Sequence, residues 1–210
     1  MDLEYGIIGN CKTVALVSSD ASIDWLCLPR FDSPSIFAKI LDEKKGGSFS
    51  IKPAGTYESR QEYVKDTNVL RTVFESDSGT FEVTDFFPHY LVNGNLIKES
   101  EMYRVIKVLS GSPEAFVSVQ PRFEYASERI EPKVAGQCVS FVHGTDSLYI
   151  YTNLNVRDVV SGKKTVLKGE SYIILSYNKI EEGHSAATVK QELSRTISYW
   201  RNWLEDARLP

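Results

Sequence analysis

Residues 68–87 read NVLRTVFESDSGTFEVTDFF. Apolar and polar side chains alternate on both sides of Ser76-Asp77-Ser78-Gly79. Leu70, Thr72 and Phe74 fall on one face, and Val69, Arg71, Val73 and Glu75 on the other. On the return, Phe81, Val83 and Asp85 oppose Glu82, Thr84 and Phe86. A period of two is the signature of a β-strand. Gly79 supplies the residue that tolerates positive φ at the turn. The stretch therefore predicts an antiparallel hairpin and sets the fold class as all-β.

The same style extends in both directions. Residues 13–17 and 22–28 flank the small polar turn Ser18-Ser19-Asp20-Ala21 and read as another hairpin. Residues 48–52 alternate and end at Pro53, while the charged run 56–64 reads as an edge strand. Residues 102–109, 115–123, 137–143, 147–152 and 171–177 follow the pattern. Gly111-Ser112-Pro113 and Gly144-Thr145-Asp146 punctuate them. So many short strands predict a large antiparallel β-sandwich over residues 1–186, with a distorted barrel as the alternative.

Two segments depart from it. Ile36, Phe37, Ile40 and Leu41 lie at helical spacing behind Pro34, which predicts a short helix near 34–42. From Thr188 onward, Val189, Leu193, Ile197, Trp200 and Leu204 recur every three or four residues. That is one face of an amphipathic helix, with Tyr199 and Trp203 widening it. Residues 187–210 read as a linker helix leading to a further domain; packing back on the sandwich is the alternative. Tyr199, Trp200 and Trp203 are its candidate docking residues, and their exposure would promote self-association.

Composition excludes several classes. Charged residues make up 25% of the chain, the net charge is -4, and Lys and Arg are scattered. No basic track for a phosphate backbone is visible, so nucleic acid is not an expected partner. No run approaches the ~20 apolar residues of a membrane span. The start, MDLEYGIIGN, lacks the basic and apolar regions of a signal peptide. A cytoplasmic protein without membrane contact is expected. Cys11, Cys27 and Cys138 are odd in number and widely spaced, which argues against a disulfide framework or a zinc site.

Chemistry is sparse. His89, His143 and His184 have no partner at metal-ligand spacing, and neither metal nor cofactor is expected. Asp20, Asp24, Asp32, Asp42, Asp85 and Glu124 form no recognisable acid pair and read as turn caps or solvated groups. No catalytic residue is assigned. The densest segment runs Asp24-Trp25-Leu26-Cys27-Leu28-Pro29-Arg30-Phe31-Asp32-Ser33-Pro34-Ser35. In one reading Asp32 or Ser33 caps the short helix while Trp25 and Phe31 fill core. In the other, Arg30 and Asp32 reach a partner domain or a sugar hydroxyl. Composition alone favours the first.

Several of these residues carry a resemblance. Ile7-Ile8-Gly9-Asn10, residues 13–17, Asp20, the run from Ser22 to Phe37 and Gly46-Gly47 closely resemble the opening of glycoside hydrolase family 15. Asn68-Val69-Leu70, residues 83–88 and Tyr199-Trp200-Arg201-Asn202-Trp203 are similar too. That family comprises prokaryotic glucoamylases, glucodextranases and trehalases.

The resemblance implies an amino-terminal super-β-sandwich, a helical linker and then an α/α barrel bearing two catalytic glutamates. The implied reaction is hydrolysis of an α-glucosidic bond with inversion. Neither glutamate maps onto this chain, so the 210 residues are expected to be inactive alone. The expected partners are the barrel and, through it, an α-glucan or trehalose. Breadth of the family leans the reading to a glucoamylase, with trehalase or a stand-alone carbohydrate-binding module as alternatives. Asp24, Trp25, Arg30, Phe31, Asp32 and Ser33 become candidates for the domain interface or the substrate entrance.

Overall fold

The hairpin at 68–87 forms as its alternation requires, with Leu70 opposite Asp85, Thr72 opposite Val83 and Phe74 opposite Phe81. It lies within a β-sandwich seen in the computed structural model, which describes residues 4–126, 129–180 and 183–207. In chain order the first strands are β1 (Tyr5–Gly9), β2 (Val14–Ser18), β3 (Ile23–Cys27), β4 (Ser35–Ala38), β5 (Phe49–Pro53) and β6 (Tyr57–Tyr63). Next come β7 (Leu70–Ser76), β8 (Gly79–Phe86), β9 (Tyr90–Val92), β10 (Asn95–Ile97), β11 (Glu101–Gly111) and β12 (Glu114–Val119). A single turn, α1 (Phe123–Ala126), precedes β13 (Lys133–Ala135), β14 (Cys138–His143) and β15 (Asp146–Thr152). The chain continues through α2 (Val156–Ser161), β16 (Lys164–Val166), β17 (Glu170–Tyr177) and α3 (Ala186–Ala207).

Seven strands form one sheet, in the order β1-β2-β3-β5-β12-β16 with β4 also paired to β3. Eight form the other, β13-β14-β15-β17-β11-β8-β7-β6. The charged strand β6 is an edge of the larger sheet, as its sequence predicts. All pairings are antiparallel. The inward residues of both sheets, among them Ile23, Phe49, Ile51, Phe74, Phe81, Val83 and Ile106, form the main core.

The helix predicted near 34–42 is absent. Ser35–Ala38 is a strand, fully buried and hydrogen-bonded to β3. A short apolar run does not distinguish a strand buried on both faces from a helix. Here pairing with β3 satisfies the backbone, while Leu41, needed for a helical stripe, is 68% exposed. Residues 39–47 instead form turns, with Asp42 Oδ1 accepting from the backbone N–H groups of Lys44 and Lys45.

The tail helix exists and its first half packs on the sandwich. Val189, with Leu193 and Ile197, lies against Val69, Phe86, Tyr103, Val105, Tyr172 and Ile174. Apart from Val69, which precedes β7, these are outward residues of β8, β11 and β17, so α3 covers part of the outer face of the larger sheet. No described helix is long and apolar enough to cross a membrane.

The edge strand β1 is tied to the opposite sheet. The Tyr63 hydroxyl accepts from Ile7 N–H at 2.7 Å and lies 2.9 Å from the Ile7 carbonyl as donor. Asn68 Oδ1 accepts from Gly9 N–H at 2.6 Å, and its Nδ2 donates to the Ile7 carbonyl at 3.0 Å. These side chains occupy backbone groups that an edge strand otherwise leaves open to another chain.

Candidate functional site

The segment following β3 leaves the sheet and is fastened at three points. Phe31 N–H donates to the Lys12 carbonyl, Ser100 Oγ donates to the Pro29 carbonyl, and Thr13 Oγ1 donates to the Cys27 carbonyl. Asn10, wholly buried, steadies the neighbouring loop: its Nδ2 donates to the Glu99 carbonyl and its Oδ1 accepts from Lys12 and Thr13. On this base Arg30–Ser33 closes as a turn. Arg30 N–H reaches Ser33 Oγ at 3.2 Å and Ser33 N–H reaches the Arg30 carbonyl at 3.1 Å.

The Arg30 guanidinium forks onto Asp32, with Nε to Oδ1 at 2.9 Å and Nη2 to Oδ2 at 3.1 Å. This pairing holds the Asp32 carboxyl below its usual value. Asp32 and Ser33 therefore cap no helix, and Phe31 is not core but 62% exposed. The capping-and-core reading of these residues gives way to one in which they face outward. Asp24 and Trp25 are set apart from them. Asp24 is buried, accepting from Ser22 Oγ and the Tyr5 hydroxyl, with Lys39 Nζ at 3.5 Å. Burial and the nearby Asp24 push the Tyr5 hydroxyl up to about 12. Trp25 is half-buried, 6.5 Å from the Tyr125 ring.

Folding brings Phe31 and the tail helix to one place. Phe31 and Trp200 line a shallow apolar cleft of about 460 Å³ together with Ile7, Cys11, Lys12 and Asn68. Arg30 and Lys98 join Phe31, Cys11 and Lys12 around a smaller recess beside it. Trp200 packs edge-on against Trp203 at 6.0 Å. Trp203 and Tyr199 line a further groove of about 450 Å³ with Tyr90 and Leu91. Leu91 belongs to the β9–β10 ribbon, which turns at Asn93-Gly94, both with positive φ. That Asn-Gly pair is a hairpin signal the sequence reading passed over. Exposed Ile7, Phe31, Leu91 and Trp203 thus give the molecule an apolar strip fringed by Lys12, Arg30 and Lys98.

Beneath the strip lies His89, 1% exposed. Its ring stacks on Trp200 at 4.9 Å and meets Tyr199 edge-on at 4.5 Å. Its backbone N–H donates to Thr196 Oγ1 at 3.2 Å, while its Nδ1 has no hydrogen-bond partner. Burial, helped by the charge of Lys98, pushes His89 below the usual histidine range. His143 stacks on Phe123 and His184 lies against Tyr151. Among the described residues no three potential metal ligands converge.

Asp85 differs from the other candidate carboxylates. It is neither a cap nor solvated but fully buried against Arg104. Glu124 is exposed, within a turn where it and Tyr125 have φ of 50° and 57°. The strip has exposed rings beside the Arg30–Asp32 pair, and among the described residues lining its three clefts Asp206 is the one acid. Its chemistry suits the recognition of another surface.

Comparison with known proteins bears on what that surface meets. A family model described as trehalase-like, N-terminal, matches residues 4–165. Trehalase 2 of Sulfolobus acidocaldarius is 30% identical over 99% of this chain and 35% of its own length. The trehalase of Thermoplasma volcanium is 32% identical over 95% of this chain and 33% of its own length. That of Mycolicibacterium smegmatis is 25% identical over 99% and 35%. The chain spans about a third of the length of these curated relatives.

Proposed function

Given that the chain belongs to the trehalase-like N-terminal family, we propose that it is the non-catalytic N-terminal domain of a longer enzyme that hydrolyses trehalose. The observation that carries this reading is the coverage: nearly all of this chain aligns, but to only a third of each trehalase. The catalytic acids then belong to the remaining two thirds. The lean towards glucoamylase has no specific support, since these relatives are described as trehalases.

In this reading the strip of Phe31, Trp200, Trp203 and Leu91 is where the remainder of the enzyme docks, and α3 leads into it. The rigid Arg30–Asp32 fork is presented beside the strip, at the boundary with the substrate entrance. Large exposed rings with charged neighbours suit an interface that buries apolar area and fixes orientation through ion pairs.

The test compares the isolated chain with its full parent polypeptide, with glucose release from trehalose as the readout. The parent is expected to be active and the isolated chain inactive. In the parent, Arg30→Ala with Asp32→Ala is expected to lower kcat/KM or stability. Hydrolysis by the isolated chain, or a parent that cleaves maltooligosaccharides and ignores trehalose, contradicts the proposal. A doubly substituted parent with unchanged stability and kcat/KM removes the role given to Arg30 and Asp32.

A further inference from the structure

A second cleft, of about 400 Å³, opens where β12 ends. Its polar lining comes from Ser118, Gln120, Arg122, Arg129, Glu131 and Ser161, with Phe141 and Val160 as apolar lining. Gly47 makes this arrangement possible. At φ +69°, a Cβ there would lie 2.2 Å from the Gln120 carbonyl oxygen and 2.7 Å from Arg122 Cγ. The Gly46-Gly47 pair thus lets Arg122 pass close to the backbone and enter the cleft wall.

Arg122 is the unusual member. Its backbone N–H donates to the Ile36 carbonyl and its Nη1 to the Pro121 carbonyl at 3.0 Å. No carboxylate among the described residues pairs with its guanidinium, whereas Arg129 Nε has Glu131 at 3.4 Å. Burial and the like charge of Arg129 push Arg122 below the usual arginine value. A half-buried guanidinium with spare donors can offer them to the acceptors of a ligand.

The rest of the wall decides which ligand. The lining sets Arg122 and Arg129 beside the Glu131 carboxylate, which Arg129 pairs, so it offers both donors and an acceptor rather than a purely cationic socket. A sugar hydroxyl both accepts and donates. It can take hydrogen bonds from Arg122 and Gln120 and give one to Glu131. The volume lies within the range of small-molecule sites. We propose that this cleft binds a mono- or disaccharide, with Arg122 and Gln120 as donors to its hydroxyls and Glu131 as acceptor.

Isothermal titration of the 210-residue chain with glucose, maltose and trehalose tests this. Saturable binding of at least one is expected, weakened by about tenfold or more in Arg122→Ala and in Glu131→Gln. Glu58→Gln, exposed on the distant edge strand β6, is expected to leave it unchanged. Gln120→Ala and Glu131→Gln alter exposed side chains, so they keep the test available if Arg122→Ala fails to fold. The proposal is overturned by no saccharide binding at tens of millimolar. Binding indifferent to the cleft variants overturns it too. So does inorganic phosphate binding that is lost in Arg122→Ala while sugars do not bind.

Discussion

Arg104 and Asp85 form a forked ion pair at the centre of the sandwich, with Nε to Oδ1 at 2.8 Å and Nη2 to Oδ2 at 3.1 Å. The same guanidinium donates across the core to the carbonyls of Phe49 in β5 and Ala21 in the β2–β3 turn, and lies 4.6 Å from the Phe49 ring centre. Both side chains are fully buried. One arginine therefore bridges the core with four of its five N–H donors engaged. Burial pushes the Asp85 carboxyl up, and the guanidinium opposes that.

Removing one partner strands the other charge. Arg104→Met and Asp85→Leu are each expected to cost about 3–5 kcal/mol in urea denaturation. The double variant Arg104→Met with Asp85→Leu is expected to cost far less than their sum, because no uncompensated charge remains. Additive losses would show that the two residues act independently.

Asn68→Ala unties the edge of the smaller sheet. It leaves Gly9 N–H and the Ile7 carbonyl without their Asn68 partner, at an expected cost of about 1–2 kcal/mol. The freed edge is also expected to pair between molecules. Light scattering on concentrated samples should show association in Asn68→Ala beyond that of the unaltered chain at the same concentration.

His89 predicts a pH dependence. Its value in the folded protein is depressed below the unfolded 6.5. Between those two values the unfolded chain holds a proton that the folded chain does not, so stability rises with pH there. The stabilising neutral state is thus lost as pH falls from about 6.5 through the folded value, at no more than about 1.4 kcal/mol per pH unit for one proton. Thermal melts at descending pH should flatten in His89→Phe relative to the unaltered chain over that window. Equal slopes would assign the acid sensitivity elsewhere.

Two glycines separate backbone strain from crowding. Gly55, at φ +84°, has nothing within 4 Å of the point a methyl group would occupy, whereas Gly47 is closely packed. Gly55→Ala is expected to cost roughly 1–2 kcal/mol from the left-handed conformation alone. Gly47→Ala is expected to cost roughly 1–3 kcal/mol more, since the methyl group collides with backbone. Similar denaturation midpoints for the two would disprove the crowding at Gly47.

Phe31 and Trp203 are 62% and 52% exposed. Serine at both positions is expected to alter the stability of the isolated chain by no more than about 0.5 kcal/mol. The same pair is expected to reduce self-association in size-exclusion chromatography. A clean monomer at high concentration before substitution would remove the apolar strip as a sticky surface.

Much of the architecture was legible in the residue order. Strict alternation at 69–75 and 81–86 sorted the side chains onto two faces and put Asp85 with Phe81 and Val83, yet as a carboxylate it read as a cap or a solvated group, and only the fold shows it buried. What alternation could not supply was the partner, because Arg104 lies 19 residues away and its own strand had to be registered against β8. The segment at 34–42 misled for a related reason: its backbone is satisfied by β3, a non-local contact that helical spacing cannot foresee.

Residue order alone was enough for the all-β class, the tail helix and, through motif resemblance, the enzyme family, since each rests on local periodicity or contiguous residues. Which aromatics lie outside was settled by the folded chain. Phe31 and Trp200 are separated by most of the chain, yet a loop pinned to Lys12 and a helix packed over His89 bring them to one cleft. Side-chain exposure is a property of what folds against a residue, and for the surface strip that information lies in the pairing of distant strands.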